Sequence, residues 1–291
     1  MTNETESNYR YFHRNSVYRR GFGTIMWKPL LFYLIILFLM YAAGFEVCQC
    51  LEAKCSKTVK PLFVICVALQ YIAYKIVMHY AGLIMALISV VLLTILLAVI
   101  VLNFTMFSKK YAVSGGGATA FVLFYPTIFL FATLSLAYLP GGLSSGAVIL
   151  VFIGSSLADV MAYFVGSALK GPKFCPEISP KKTVSGAIGG VLGGIIAGVI
   201  LLILGRYSVI GILPLSDVIW IDAVNWIALG LGTAVFCEMG DLTSSYIKRV
   251  CGIKDFGTLL AGHGGFMDRI DGLIVSAVFI FTYLFVRGLI I

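Results

Sequence analysis

Charge is what this chain has least of. Asp, Glu, Lys and Arg make up 12% of its 291 residues, against about a quarter in a water-soluble domain, and that shortage excludes a soluble fold. It also lacks a Pro/Ser-rich linker and any repeat of fixed period, so separate soluble domains and solenoids are excluded too. Its apolar runs show none of the polar/apolar alternation of barrel strands. The seven cysteines, Cys48, Cys50, Cys55, Cys66, Cys175, Cys237 and Cys251, are scattered. No second pair or His tract completes a zinc spacing, and they read as reduced thiols. With only 13 acids in the chain, the position of each one carries information.

What is abundant is hydrocarbon: 60% of residues are hydrophobic and the mean hydropathy is +1.01. Runs long enough to cross a core of about 30 Å lie near 29–48, 61–79, 81–102, 118–139, 143–167, 184–205, 223–240 and 272–290. Lipid offers no partners for backbone N–H and C=O groups, so these runs are helices. The expected fold is an all-α polytopic integral membrane protein of about eight transmembrane helices. A ninth membrane-embedded piece follows if Tyr18 to Trp27 forms a re-entrant or interfacial segment. Residues 1–28 read as a basic tail without a cleavable signal pattern, and 29–291 as one transmembrane domain.

The net charge of +8 is distributed unevenly. Lys54, Lys57 and Lys60, then Lys109 and Lys110, then Lys170, Lys173, Lys181 and Lys182, and finally the run after the seventh span occupy alternate loops. The positive-inside rule puts all four on the cytoplasmic side. Parity then sends the basic segment Arg10 to Lys28 outside, unless Tyr18 to Trp27 dips into the interface and returns the tail.

Asp241, Asp255, Asp268 and Asp271 are interleaved with Lys248, Arg249, Lys254, Arg269 and His263 in one stretch. Asp241, Ser245 and Lys248, at i, i+4 and i+7, share a helix face, while Asp268, Arg269 and Asp271 open the last span. Carboxylates at such depth are costly unless paired, hydrated or metal-bound. Two of them across a polar cavity call for a divalent cation, and hard oxygen donors suit Mg²⁺, which keeps waters and takes up substrate phosphates. The basic residues suit phosphate oxygens, and the Gly264-Gly265 turn after His263 lets backbone N–H groups approach an anion. The competing explanation is a loop that neutralises itself by salt bridges.

A second cluster comprises Asp159, inside an apolar run, and Ser179-Pro180-Lys181-Lys182-Thr183, just before the sixth span. Hydroxyls, ammonium groups and a helix N-terminus together suit a polyphosphate, although a positive-inside anchor would look the same. Gly186, Gly189, Gly190, Gly193, Gly194 and Gly198 form a stripe expected to pack against neighbouring helices.

Together these segments resemble the phosphatidate cytidylyltransferase (CDP-diacylglycerol synthase) family. Its C-terminal signature is matched by Ser245, Ile247, Lys248-Arg249, Lys254-Asp255, His263-Gly264-Gly265 and Asp268-Arg269-Ile270-Asp271, with Gly240-Asp241-Leu242 upstream and Ser179 to Thr183 further back. The resemblance runs from about residue 155 to the end, which would be the active-site half of a catalytic domain. Three positions depart from the pattern: Ser244, where the family often has an acid; Ser185, commonly Glu or Gln; and Ala261, usually Pro.

The resemblance implies transfer of a cytidylyl group from CTP to phosphatidic acid, giving CDP-diacylglycerol and pyrophosphate. It implies Asp241 and Asp268 as Mg²⁺ ligands, with a second cation allowed, and Lys248, Arg249, Lys254 and Arg269 as phosphate holders. His263 would contact phosphate or pyrophosphate, Asp255 and Asp271 would orient basic groups or metal waters, and Asp159, Ser179, Lys181, Lys182, Thr183 and Ser245 would complete substrate binding. A homodimer, no nucleic-acid partner and a bacterial inner membrane with the site facing the cytoplasm are further expectations. The alternatives are an ether or prenyl-type lipid substrate, a membrane transporter, and an inactive relative in which an acid restored at 244 raises activity.

Overall fold

The computed structural model describes residues 28–108, 110–139, 143–257 and 264–290. The Tyr18 to Trp27 segment, Ala261 and His263 lie outside the described residues. Helices dominate: α1 (Lys28–Glu52), α2 (Lys60–Phe107), α3 (Val113–Phe124), α4 (Thr127–Leu136), α5 (Leu143–Leu169), α6 (Val184–Arg206), α7 (Ile219–Val250) and α8 (Met267–Ile290). The exceptions are one 3₁₀ turn at Val209–Gly211 and a small antiparallel pair, β1 (Lys173–Cys175) and β2 (Ser179–Thr183). Seven helical stretches among the described residues are long and apolar enough to cross a membrane, α3 and α4 counting as one. This is a polytopic helical membrane protein.

Helix α2 carries two of the expected spans. It reverses at Gly82, whose φ of 82° and ψ of −179° suit only glycine. Gln70 Nε2 donates to Thr94 Oγ1 at 2.6 Å, whereas 24 residues of straight helix would hold them about 36 Å apart. The arms 60–81 and 83–107 therefore stand side by side as a helical hairpin, which reconciles seven helices with about eight crossings. Pro61 starts the first arm at a position that needs no N–H donor. Pro126 separates α3 from α4 because it can neither donate to the helix ladder nor tolerate a helical residue before it.

The six glycines of α6 do pack. A Cβ on Gly186, Gly189 or Gly193 would overlap Ala162, Met161 and Leu157 of α5, and one on Gly194 or Gly198 would overlap Gly230 and Trp226 of α7. These close approaches are spent inside the chain, so the homodimer expectation rests on the resemblance alone. Apolar rows such as Ile65, Leu69, Ile72 and Ile76 remain exposed on the outside, as a lipid-facing surface requires.

Both ends of the bundle are tied. At one end Ser56 N–H donates to Ser114 Oγ (3.4 Å), and Arg249 Nε donates to the Ile178 carbonyl (3.2 Å), so the basic loops meet there. At the other end fully buried Asp222 accepts the Leu215 N–H at 2.7 Å and meets Arg206 Nε at 2.9 Å in an ion pair. Arg287 donates to the Leu215 carbonyl beside them.

Candidate active site

Helix α7 has 32 residues, about 48 Å at 1.5 Å each, so it outruns the hydrocarbon layer and lifts its last turns clear of it. Along that end it presents residues four apart to the start of α8. Gly240 lies against the backbone of Asp271 and Gly272, where a side chain would collide. One turn on, buried Ser244 donates to Asp271 Oδ2 at 2.5 Å, while Asp271 Oδ1 takes the Gly272 N–H at 2.8 Å. One turn further, Lys248 Nζ reaches Asp268 Oδ1 at 2.7 Å, each side chain only 9% exposed. The Lys248 ammonium also stands 5.3 Å from the Phe256 ring centre, and Asp268 Oδ2 accepts the N–H groups of Phe256 (2.9 Å) and Gly265 (3.0 Å).

The small sheet delivers the other cation. Lys182, on β2, reaches Asp241 Oδ2 at 2.6 Å and Glu238 Oε1 at 2.8 Å. Burial pushes its pKa down, but Asp241 and Glu238 push it further up, so it is held above the ordinary lysine value. Ser245 Oγ donates to Asp241 Oδ1 at 3.4 Å. Asp159 of α5 and Asp271 of α8 both lie within electrostatic range of Asp241, and the Cys237 thiol approaches Asp159 at 3.9 Å. Thr183 caps α6 by accepting the Gly186 N–H at 3.1 Å, with Ser185 Oγ 3.1 Å from its hydroxyl. Strand alternation turns Lys181 the opposite way from Lys182, and it is exposed, as are Arg249, Lys254, Asp255 and Arg269. Ser179 is half-buried at the start of β2.

The structure thus brings Asp159, Lys182, Asp241, Ser245 and Asp271 into one neighbourhood, with Lys248 and Asp268 a turn above. Two acids join them that sequence reasoning missed. Glu238 sits three residues before Asp241 and shares its lysine, a spacing that could have flagged it. Glu46 of α1 is 2% exposed and accepts the N–H groups of Phe266 (3.0 Å) and Met267 (2.8 Å). As an acid inside an apolar run, it carried the same signal as Asp159.

Inside the site five carboxylates (Asp159, Glu238, Asp241, Asp268, Asp271) face two lysines (Lys182, Lys248), with further basic residues at the rim. That local excess of hard, negative oxygens suits a divalent cation. No three His, Cys, Asp or Glu side chains among the described residues are grouped closely enough to enclose one. Mg²⁺ needs only one or two protein carboxylates when water and substrate phosphates supply the rest. Asp241, 36% exposed and bonded by two side chains, Lys182 and Ser245, that can turn away, fits that role better than Asp268, which is 9% exposed with one oxygen fixed by two backbone N–H groups.

Curated relatives match the chain. A phosphatidate cytidylyltransferase of Brucella abortus is 36% identical over 172 residues, 58% of either chain. One of Aquifex aeolicus is 31% identical over 248 residues, 85% of this chain and 79% of the relative, and one of Mycobacterium bovis is 37% identical over 161 residues, 55% and 48%. The chain thus spans 58% of the length of the Brucella relative and more of the Aquifex one. A model of the cytidylyltransferase family matches residues 18–287, nearly the whole length, and the chain belongs to that family.

Proposed function

We propose that the protein transfers the cytidylyl group of CTP to phosphatidic acid. A phosphate oxygen of the lipid forms a bond to the α-phosphorus of CTP while the bond from that phosphorus to the bridging β-oxygen breaks. CDP-diacylglycerol and pyrophosphate are the products. The observation that carries this reading is the charge layout, a cluster of acids around Asp241 with exposed basic residues, Lys181, Arg249, Lys254 and Arg269, on the adjoining loops and helix ends. Relatives named for the same activity support it.

The nucleophile is already an anion, so the protein has alignment and charge neutralisation to supply. Asp241, with Asp159 and Asp271 near it, would hold Mg²⁺, which when bound neutralises phosphate charge. Half-buried Lys182 and buried Lys248 are ammonium groups held by acids, and each can turn a proton toward an entering phosphate oxygen. Arg249, Lys254 and Arg269 would grip the outer phosphates and the leaving pyrophosphate, and His263 would contact phosphate or pyrophosphate, as the family resemblance implies. Ser179, Thr183 and Ser245 would offer hydroxyls, and Asp255 would orient neighbouring bases. Gathering the basic loops at one end supports a site facing the cytoplasm, and bacterial relatives support a bacterial inner membrane. CTP would then arrive from water and the lipid headgroup from the adjoining leaflet.

Purified full-length protein in detergent, given labelled CTP, Mg²⁺ and phosphatidate, should yield a CDP-lipid and pyrophosphate in equal amounts. Product formed only from an ether or prenyl-type lipid phosphate would overturn the choice of phosphatidate.

A further inference from the structure

We propose that Glu46, on α1, is a positioning residue: its buried carboxylate fixes the first turn of α8 and, through that turn, the Lys248–Asp268 pair. A carboxylate this deep in a spanning helix is unfavourable unless strongly bonded. Glu46 gains its bonds from Phe266 and Met267 N–H, two of the donors left unpaired where α8 begins, and its charge complements the positive end of that helix.

The two flanking glycines make the clasp close. A Cβ on Gly257 or on Gly265 would run into the Glu46 carboxylate itself. Gly265 lies between two acids, its Cα against Glu46 and its N–H donating to Asp268 Oδ2 at 3.0 Å. Phe38, two turns earlier on α1, meets Phe266 edge to face with ring centres 5.3 Å apart, so α1 grips the same turn twice. Any slackening at Glu46 therefore reaches the backbone N–H that orients Asp268, and with it the ammonium of Lys248.

The kinetic part of the test rests on the activity proposed above, while amide exchange does not. In full-length protein in detergent, Glu46→Ala should speed exchange at residues 264–267 by about tenfold or more while α5 and α6 amides keep their rates. It should also lower kcat by about tenfold or more, with KM for the lipid changed less than about twofold. Glu46→Gln, which keeps one acceptor oxygen, should fall between Ala and the parent in both readouts, and it judges the clasp if the Ala variant fails to fold. Gly265→Ala, which displaces the carboxylate, should reproduce the Ala phenotype. Parental exchange and kcat in Glu46→Ala would overturn the proposal. So would exchange raised evenly across all helices, which would make Glu46 a residue of general stability. Should the parent turn over no CTP, the activity reading fails and local exchange alone decides on Glu46.

Discussion

Ser244 donates a 2.5 Å hydrogen bond to Asp271 across the α7–α8 contact, at a point closed to solvent on the α7 side. The sequence raised the prospect that an acid at 244 would strengthen the site. The geometry argues the other way for this chain, since Asp there would face Asp271 and replace its donor with a like charge. Ser244→Asp should melt at lower temperature than the parent without Mg²⁺ and recover part of the loss when Mg²⁺ is added. Ser244→Ala, which leaves Asp271 short of one partner, should cost about 1–3 kcal/mol whether or not the ion is present. Thermal unfolding in detergent with and without Mg²⁺ separates the two, and a Ser244→Asp variant more stable than the parent without the ion would contradict this account.

Asp241 and Asp268 were matched as metal ligands by resemblance, yet their surroundings differ. Asp268 is bonded by Lys248 and two backbone N–H groups, whereas Asp241 is more exposed, lies near other carboxylates and is bonded only through the movable side chains of Lys182 and Ser245. Asp241→Asn should therefore raise the Mg²⁺ concentration for half-maximal rate by about tenfold or more, with little loss of stability. Asp268→Asn should shift it far less and act through kcat. Asp268→Ala, which leaves buried Lys248 without its counter-charge, should cost about 3–5 kcal/mol. Equal Mg²⁺ shifts in the two Asn variants would restore Asp268 as a ligand of equal standing.

Lys182 sits between Asp241 and Glu238, and these hold its pKa above the ordinary 10.5 despite burial. A base with a raised folded pKa gives its full stabilisation below the unfolded value and loses it only as pH climbs through the folded one. No step in the pH–rate profile between about pH 6 and 9 should belong to Lys182. Lys182→Arg should keep the parent's profile shape, though the planar fork will lower its height. A step in the parent that disappears in Lys182→Arg would show that the lysine titrates in that range.

Much of this was legible because lipid leaves so few choices. Spans, the reversal near residue 80 and the gathering of the basic loops all follow from apolar length and lysine placement. Asp159 was found because an acid in an apolar run has to be explained, and Asp241 because it opens a crowded charged stretch at the end of a span. Glu46 obeyed the same logic, but its partners are backbone N–H groups 220 and 221 residues away, which no side-chain pattern announces. The β1–β2 pair escaped notice because strands of three and five residues, one containing Pro180 and neither with a fully buried residue, have no buried face to impose alternation. Nor does spacing reveal that Asp268 spends both oxygens on its own loop and Lys248.

The reversal of α2 can be tested at Gly82 without disturbing the site at the other end. No atom lies within 4 Å of where a Cβ on Gly82 would stand, so Gly82→Ala meets no steric neighbour and its cost is purely one of backbone conformation. With φ at 82° and ψ near 180°, that cost should be about 1–3 kcal/mol. Gly117 in α3 is equally open but is not left-handed, so Gly117→Ala should be neutral or stabilise by up to about 1 kcal/mol. Both variants should retain the parent's kcat. Melting curves in detergent give the comparison, and a Gly82→Ala variant as stable as Gly117→Ala would mean that the chain does not turn back at Gly82.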